Sequence, residues 1–238
     1  AQPFKHNLDL ADLYQTGLAN TTNVSFSKSG KDHTTRISFT NSQRDGILQN
    51  SDAVRRFLGI KTTFKPAEWM NVSLDYKYTY RRNHNSANQD YGGTGNIVYS
   101  YTQWGQTQVN LKDYKDYLRP DGTWRAWNTV SKDNQTANYH DNPYATLDNI
   151  NSYNTNRFSV FTGDVEFILP WNLKAGVRTS GSIRNYNQET KRNEGSINFS
   201  SYYYQRQYYT SDLTVQGRLT WSDRFMEDRL SVDAAAFI

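Results

Sequence analysis

Residues 71–82 alternate without a slip. Val72, Leu74, Tyr76, Tyr78 and Tyr80 take the even positions, and Asn71, Ser73, Asp75, Lys77, Thr79 and Arg81 the odd ones. Successive side chains on a strand point to opposite faces, so this segment has one apolar-aromatic face and one polar, charged face. It is also about twice as long as a usual globular strand of about five or six residues. The same period recurs along the chain. Val24 and Phe26 alternate within 21–28, and Thr35, Ile37 and Phe39 alternate against Arg36, Ser38 and Thr40. Leu58, Ile60, Thr62 and Phe64 oppose Lys61, Thr63 and Lys65. Pattern resumes at Arg157, with Phe161, Val165, Phe167 and Leu169 against Thr162, Asp164 and Glu166. Leu173, Ala175, Val177, Thr179 and Ile183 then oppose Lys174, Arg178, Ser180, Ser182 and Arg184. Leu213, Val215, Leu219 and Trp221 form the seventh series, and Leu230, Val232, Ala234 and Ala236 the eighth. The pattern predicts eight strands in four hairpins and no helix of consequence, beyond a short helical turn about 8–14.

The connections have an order of their own. Short turns at 29–32, 66–69, 170–172 and 222–228 alternate with longer loops at 43–52, 83–156 and 186–205. Short turns on one rim and long loops on the other are the mark of an outer-membrane barrel. Pro3, Pro66, Pro120, Pro143 and Pro170 all fall outside the predicted strands, as a closed hydrogen-bonded sheet requires. Trp69, Trp171 and Trp221 stand at the short-turn ends, where an interfacial aromatic girdle belongs. The same Trp positions would cap the core of a soluble β-sandwich. The charged faces of Lys174, Arg178 and Arg184 favour a wet lumen over a packed core.

Composition agrees with a sheet that is apolar on one face only. The chain has 238 residues, 36% hydrophobic and 15% aromatic, and a mean hydropathy of −0.88. Low hydropathy with many aromatics excludes plain disorder and disfavours a closely packed α/β domain. No run approaches the ~18 apolar residues of a membrane helix. Ala1-Gln2-Pro3-Phe4-Lys5 has no apolar signal-peptide core, so the start reads as mature or internal. The absence of cysteine excludes a disulfide scaffold and thiolate metal sites. The formal charge of +4 is spread along the chain, which gives nucleic-acid binding little support.

Several segments also resemble a known family in wording. Thr34-Thr35-Arg36-Ile37-Ser38-Phe39, then Gly46-Ile47-Leu48 and Asn50-Ser51-Asp52, is similar to a run common in SusC/RagA-like TonB-dependent transporters of Bacteroidetes outer membranes. So is Asn142-Pro143-Tyr144 before a strand that begins Asn156-Arg157-Phe158 and ends Pro170-Trp171. The order and spacing of these short runs carry the resemblance, which covers nearly the whole chain. It implies a 22-stranded barrel with a plug domain in its lumen and a SusD-like surface lipoprotein as a lid. It implies import of oligosaccharides or peptides, energised through the TonB complex, in the bacterial outer membrane. No plug or TonB box is visible, and eight strands cannot close a 22-stranded barrel. Residues 1–238 are therefore expected to be a partial outer-membrane β-barrel domain, an internal portion of a larger polypeptide, with a large extracellular loop at about 83–156 and no plug domain. Val72, Leu74, Tyr76, Tyr78 and Tyr80 are expected to face lipid, and Asp75, Lys77 and Arg81 the lumen or plug. Two other readings stay open: a small self-contained outer-membrane barrel of adhesive or structural role, and a soluble carbohydrate-binding β-sandwich.

Candidate chemistry is sparse. No acid/base pair or nucleophile stands out, so no enzyme and no cofactor is expected. His6, His33, His84 and His140 lack zinc spacing and read as solvated. Gly92-Gly93-Thr94-Gly95 lacks the residues of a phosphate loop and reads as a flexible tip. Asp133, Asn134, Asp141 and Asn142 are oxygen donors without EF-hand spacing, and no metal is expected. The long loop is the most functional stretch. Tyr91, Tyr99, Tyr101, Trp104, Trp124 and Trp127 are the expected substrate-binding residues, since flat aromatic faces stack on sugars or peptide side chains. The bland counterpart is that these rings pack the loop on itself or against the lid.

Overall fold

The structure is a computed structural model and describes residues 4–86, 96–227 and 230–238. Eight strands pair in chain order in one antiparallel sheet. They are β1 (Ala19–Ser29), β2 (His33–Asp45), β3 (Asp52–Ala67), β4 (Met70–His84), β5 (Ile150–Ile168), β6 (Leu173–Arg192), β7 (Tyr202–Phe225) and β8 (Leu230–Phe237). All eight expected strands are there. A soluble sandwich needs two packed sheets, and the strands make one. β1 pairs with β2 and β8 with β7, and among the described residues neither has a second partner, so both edges are open.

Register sorts the side chains. Phe26, Ile37, Ile60, Tyr76, Phe161, Gly181 and Leu213 are successive partners across seven strands. Residues directly opposite each other share a face, so the apolar series of every strand meet on one side of the sheet. They remain accessible there: Phe26 is 59% exposed and Leu213 66%. The other face is polar. On it Asp164 accepts from Arg178 at 3.1 Å and takes both prongs of Arg218 at 2.5 and 2.8 Å, while Arg218 also reaches Glu166 at 3.2 Å. Gly176 makes this possible, because a Cβ there would stand 3.0 Å from the Arg218 guanidinium.

The strands are staggered. His33, Phe64, Val72, Val165, Val177 and Gly217 form one aligned row. Just beyond it the β1–β2 hairpin turns, whereas β7 runs on to Phe225. Such a progressive shear accompanies strand tilt in barrels. The four short connections lie at this stepped end. At the one from Pro170 to Leu173, Trp171 (φ 63°) and Asn172 (φ 57°) are both left-handed, the mirror-image turn that suits a hairpin.

At the opposite end the strands outrun their prediction. Residues 83–84, 150–156, 186–192 and 202–205, expected in loops, belong to β4, β5, β6 and β7. Both faces of these ends carry Asn, Gln, Tyr and charged residues, so the apolar period fades while the ladder continues. Pro66 also lies within β3, at the register shift between Phe64 and Ala67, where a missing N–H breaks no regular ladder bond.

In the interval expected to be an irregular loop, residues 96–149 contain a folded unit of their own. It holds helices α1 (Ile97–Trp104) and α2 (Pro143–Asn149) and a 3₁₀ turn, Leu111–Tyr114. Each helix starts on an asparagine cap: Asn96 accepts from Tyr99 N, and Asn142 from Tyr144 N and Ala145 N. Leu13, Ile97, Tyr101, Val109, Leu111 and Tyr144 form its buried core, with Leu8, Leu10 and Trp127 packed against it. Leu13 belongs to a second 3₁₀ turn, Leu10–Leu13, at the expected helical segment before β1. The unit is thus a cap assembled from 4–18, 46–51, 96–149 and 193–201. Among the described residues no helix is long and apolar enough to cross a membrane.

Candidate ligand cavity beneath the cap

Four chain segments meet in the cap, and single side chains fasten them. Asn142, with no exposed surface, donates to Tyr114 O at 2.9 Å and Arg125 O at 3.0 Å besides capping α2. Tyr144 donates its hydroxyl to Asp12 O at 3.0 Å, tying α2 to the segment before β1. Asp141 accepts from Ser196 Oγ at 2.6 Å and Ile197 N at 3.0 Å, tying the β6–β7 loop to the cap. Gly195 in that loop is left-handed (φ 117°) and lies flat on Trp124, 2.6 Å from ring to a would-be Cβ. Thus Asp141 and Asn142, two of the four oxygen donors noted in the sequence, are committed to holding the cap.

Under the cap, where the ladders end, lies a cavity of about 1270 Å³. Arg44, Ala53, Ser152, Gln188, Thr190, Arg192 and Tyr202 line it from the strands, and Asn96, Ile97, Tyr99, Thr102 and Leu147 from the cap. Arg192 is gripped by two rings, 4.0 Å from the Phe199 centre and 4.8 Å from that of Tyr202. Its Nε is buried without a hydrogen-bond partner among the described residues, as is Nε2 of His84 at the end of β4. His84 is fixed from its other nitrogen, with Nδ1 3.0 Å from Asp52, and its ring stacks on Tyr153 at 4.3 Å. His84 is therefore held in the wall, not solvated. Further down the polar face, Tyr186 and Tyr208 stack at 4.8 Å, and Arg184 covers Phe158 at 4.9 Å. Rings and guanidiniums thus continue from the cavity down the polar wall, and such a surface takes planar, hydrogen-bonding ligands.

The residues expected to bind substrate are spread out. Tyr99 lines the cavity. Tyr101 is 2% exposed in the cap core, which leaves no face for a ligand; burial pushes its hydroxyl far above the ordinary phenol range. Trp104 is 59% exposed and stacks over His140 at 6.2 Å, and Trp127 stacks on the same imidazole at 5.7 Å. Trp124 packs edge-on to Tyr117 at 6.2 Å. Tyr91, with the Gly92–Gly95 stretch, lies outside the described residues. His140, expected to be solvated, is instead held between two indoles, and burial lowers its pKa against the opposing pull of Asp141. Sequence reasoning missed Arg44, His84, Gln188, Arg192 and Tyr202. Continuing strand parity past the apolar zone would have found Gln188, Arg192 and Tyr202.

No family model and no curated protein sequence matches the chain. Solved structures do. A chain of the RagAB peptide transporter superposes with a TM-score of 0.70 at 13% identity, covering 98% of this chain and 25% of that one. The RagAB peptide importer in its closed-closed state gives 0.64 at 13% identity, covering 94% and 25%. The present chain spans about a quarter of the length of the chains it matches. At this identity the likeness is one of fold, and it meets the expectation of a SusC/RagA-like architecture. The chain has an all-β fold of eight antiparallel strands in one sheet, like the stretch of the RagAB transporter chain that it matches.

Proposed function

We propose that this chain is part of the wall and outer cap of a TonB-dependent outer-membrane importer of peptides or oligosaccharides, working with a SusD-like lipoprotein. One observation carries the reading: a sheet whose apolar side chains are exposed along one face leads into a folded cap over a cavity of about 1270 Å³. Exposed apolar surface on this scale is not tolerated in water. In lipid the same face is satisfied, but open sheet edges are not, so further strands flanking β1 and β8 complete the barrel. A self-contained eight-stranded barrel would need β1 to pair with β8, and among the described residues β1 pairs with β2 and β8 with β7 alone. The neighbours' peptide cargo makes peptides the first class to try. The Arg192 guanidinium then takes a carboxylate or backbone carbonyls, and Phe199 and Tyr202 the side chains. The ligand is carried, with no chemistry performed on it.

The test is uptake of mixed peptides and mixed oligosaccharides by cells carrying the full-length transporter and its lipoprotein. Arg192→Gln with Tyr202→Ala is expected to reduce uptake of one class about tenfold or more, from loss of a charge-assisted contact and a stacking ring. Unchanged uptake of both classes would sink the site. A protein soluble without detergent would sink the membrane reading itself.

A further inference from the structure

The outer margin of the apolar face is built unlike the rest of it. Arg56 on β3, Tyr80 on β4 and Arg157 on β5 stand side by side in register on that face. Both guanidiniums lie over the one tyrosine ring, 5.7 and 5.8 Å from its centre. The two other cations above the apolar zone on this face are neutralised: Arg82 by Asp52 and Lys191 by Glu189. Arg56 donates to Asn41 Oδ1 at 3.3 Å, and neither Arg56 nor Arg157 has a carboxylate partner among the described residues. Two guanidiniums held about one ring without a carboxylate concentrate positive charge at one place on this face, where an anion is attracted.

Height identifies the anion. Each of the three residues lies about ten or eleven positions from the stepped end of its strand, a rise of about 26 Å at ~3.3 Å per residue and ~40° of tilt. That is the height of the apolar band of an outer-membrane barrel, about 25 Å. Immediately inward on the same face come Leu58, Tyr78 and Ser159, then Ile60, Tyr76 and Phe161. The geometry points to a site for a phosphate carried on the headgroup of an outer-leaflet lipid. Arg56 and Arg157 bind the phosphate, Tyr80 positions both of them, and the acyl chains lie along Leu58, Ile60 and Phe161. Guanidinium suits phosphate by its paired, planar donors. A free phosphate would gain nothing from the apolar rows beneath. The inference rests on the membrane reading above.

The full-length transporter, purified in detergent and delipidated, is titrated by native mass spectrometry. The titrants are a phosphorylated glycolipid, the same glycolipid dephosphorylated, and inorganic phosphate alone. The phosphorylated lipid is expected to bind about tenfold or more tighter than its dephosphorylated form, a comparison that needs no variant. Arg56→Gln with Arg157→Gln is expected to lower that affinity about twenty-fivefold, near fivefold for each cation. Lys191→Gln is expected to leave it unchanged. Equal binding of the two lipids, unchanged affinity of the double variant, or inorganic phosphate binding as tightly as the lipid would each overturn the site. Those results leave the transporter reading standing, whereas solubility without detergent would remove both.

Discussion

The sheet and the cap solve opposite problems with the same residues. In the sheet, Phe26, Val24 and Leu213 are around three-fifths exposed, and the charged cluster of Asp164, Arg178 and Arg218 lies on the other side. In the cap, Leu111 and Ala145 have no exposed surface, and Lys112 and Lys115 are at the surface. Hydrophobic burial is the removal of apolar area from water. The cap achieves this internally, around one core. The sheet achieves it only if something apolar covers its face. On the proposed reading the contrast corresponds to two solvents within one chain: oil beside the middle of the strands, and water around the cap.

Two substitutions break each half separately. Asn142→Ala removes the cap of α2 and leaves Tyr114 O and Arg125 O without their donor, at a cost of about 4 kcal/mol for a lost cap and two buried acceptors. Limited proteolysis within 97–149 and loss of near-ultraviolet tryptophan dichroism will register it, while the heat-modifiable mobility of the barrel is retained. Ile60→Arg does the reverse. A cation in the middle of the apolar face costs about 3 kcal/mol in lipid. It should abolish heat-modifiable mobility, with Thr63→Arg on the polar face changing stability by less than about 0.5 kcal/mol. Equal effects of the two arginines would contradict the assignment of faces.

A smaller change tests how the halves are joined. Gly195→Ala forces a side chain into the Trp124 ring at a left-handed position, for a loss of about 2 kcal/mol. Cleavage within 193–201 and altered tryptophan fluorescence are expected, with both sheet and cap core intact. If the cap unfolds as well, the β6–β7 loop is part of its core rather than a strap over it.

How legible each half was follows from the same physics. The apolar face was readable because a sheet that is apolar on one side only keeps a period of two, and the middle of each strand carries it. Gln188, Arg192 and Tyr202 were lost to presumed loops because that period ends where both faces turn polar, although the backbone ladder goes on. The cap was legible only as aromatic richness. Its core joins Leu13 to Tyr144 and Leu111 across long stretches of sequence, and no local pattern announces such a meeting. Asn142 and Asp141 read as free oxygen donors for the same reason: their partners, Tyr114 O and Ser196 Oγ, are distant in the chain.

The gentlest probe of the contrast is pH. His140 is stacked between Trp104 and Trp127, and burial lowers its pKa although Asp141 draws it upward. The unfolded cap then binds a proton more readily than the folded one. Stability from the neutral imidazole is complete above the unfolded value, about 6.5, and is lost as pH falls through the lower folded value. Tryptophan dichroism of the cap should therefore weaken between pH 7 and pH 5, while the strand signal of the sheet holds steady. His140→Phe keeps a ring between the indoles and removes the proton site, so the slope should vanish with little change at pH 8. A slope that survives this substitution would assign the acid sensitivity to other groups and leave His140 as packing alone.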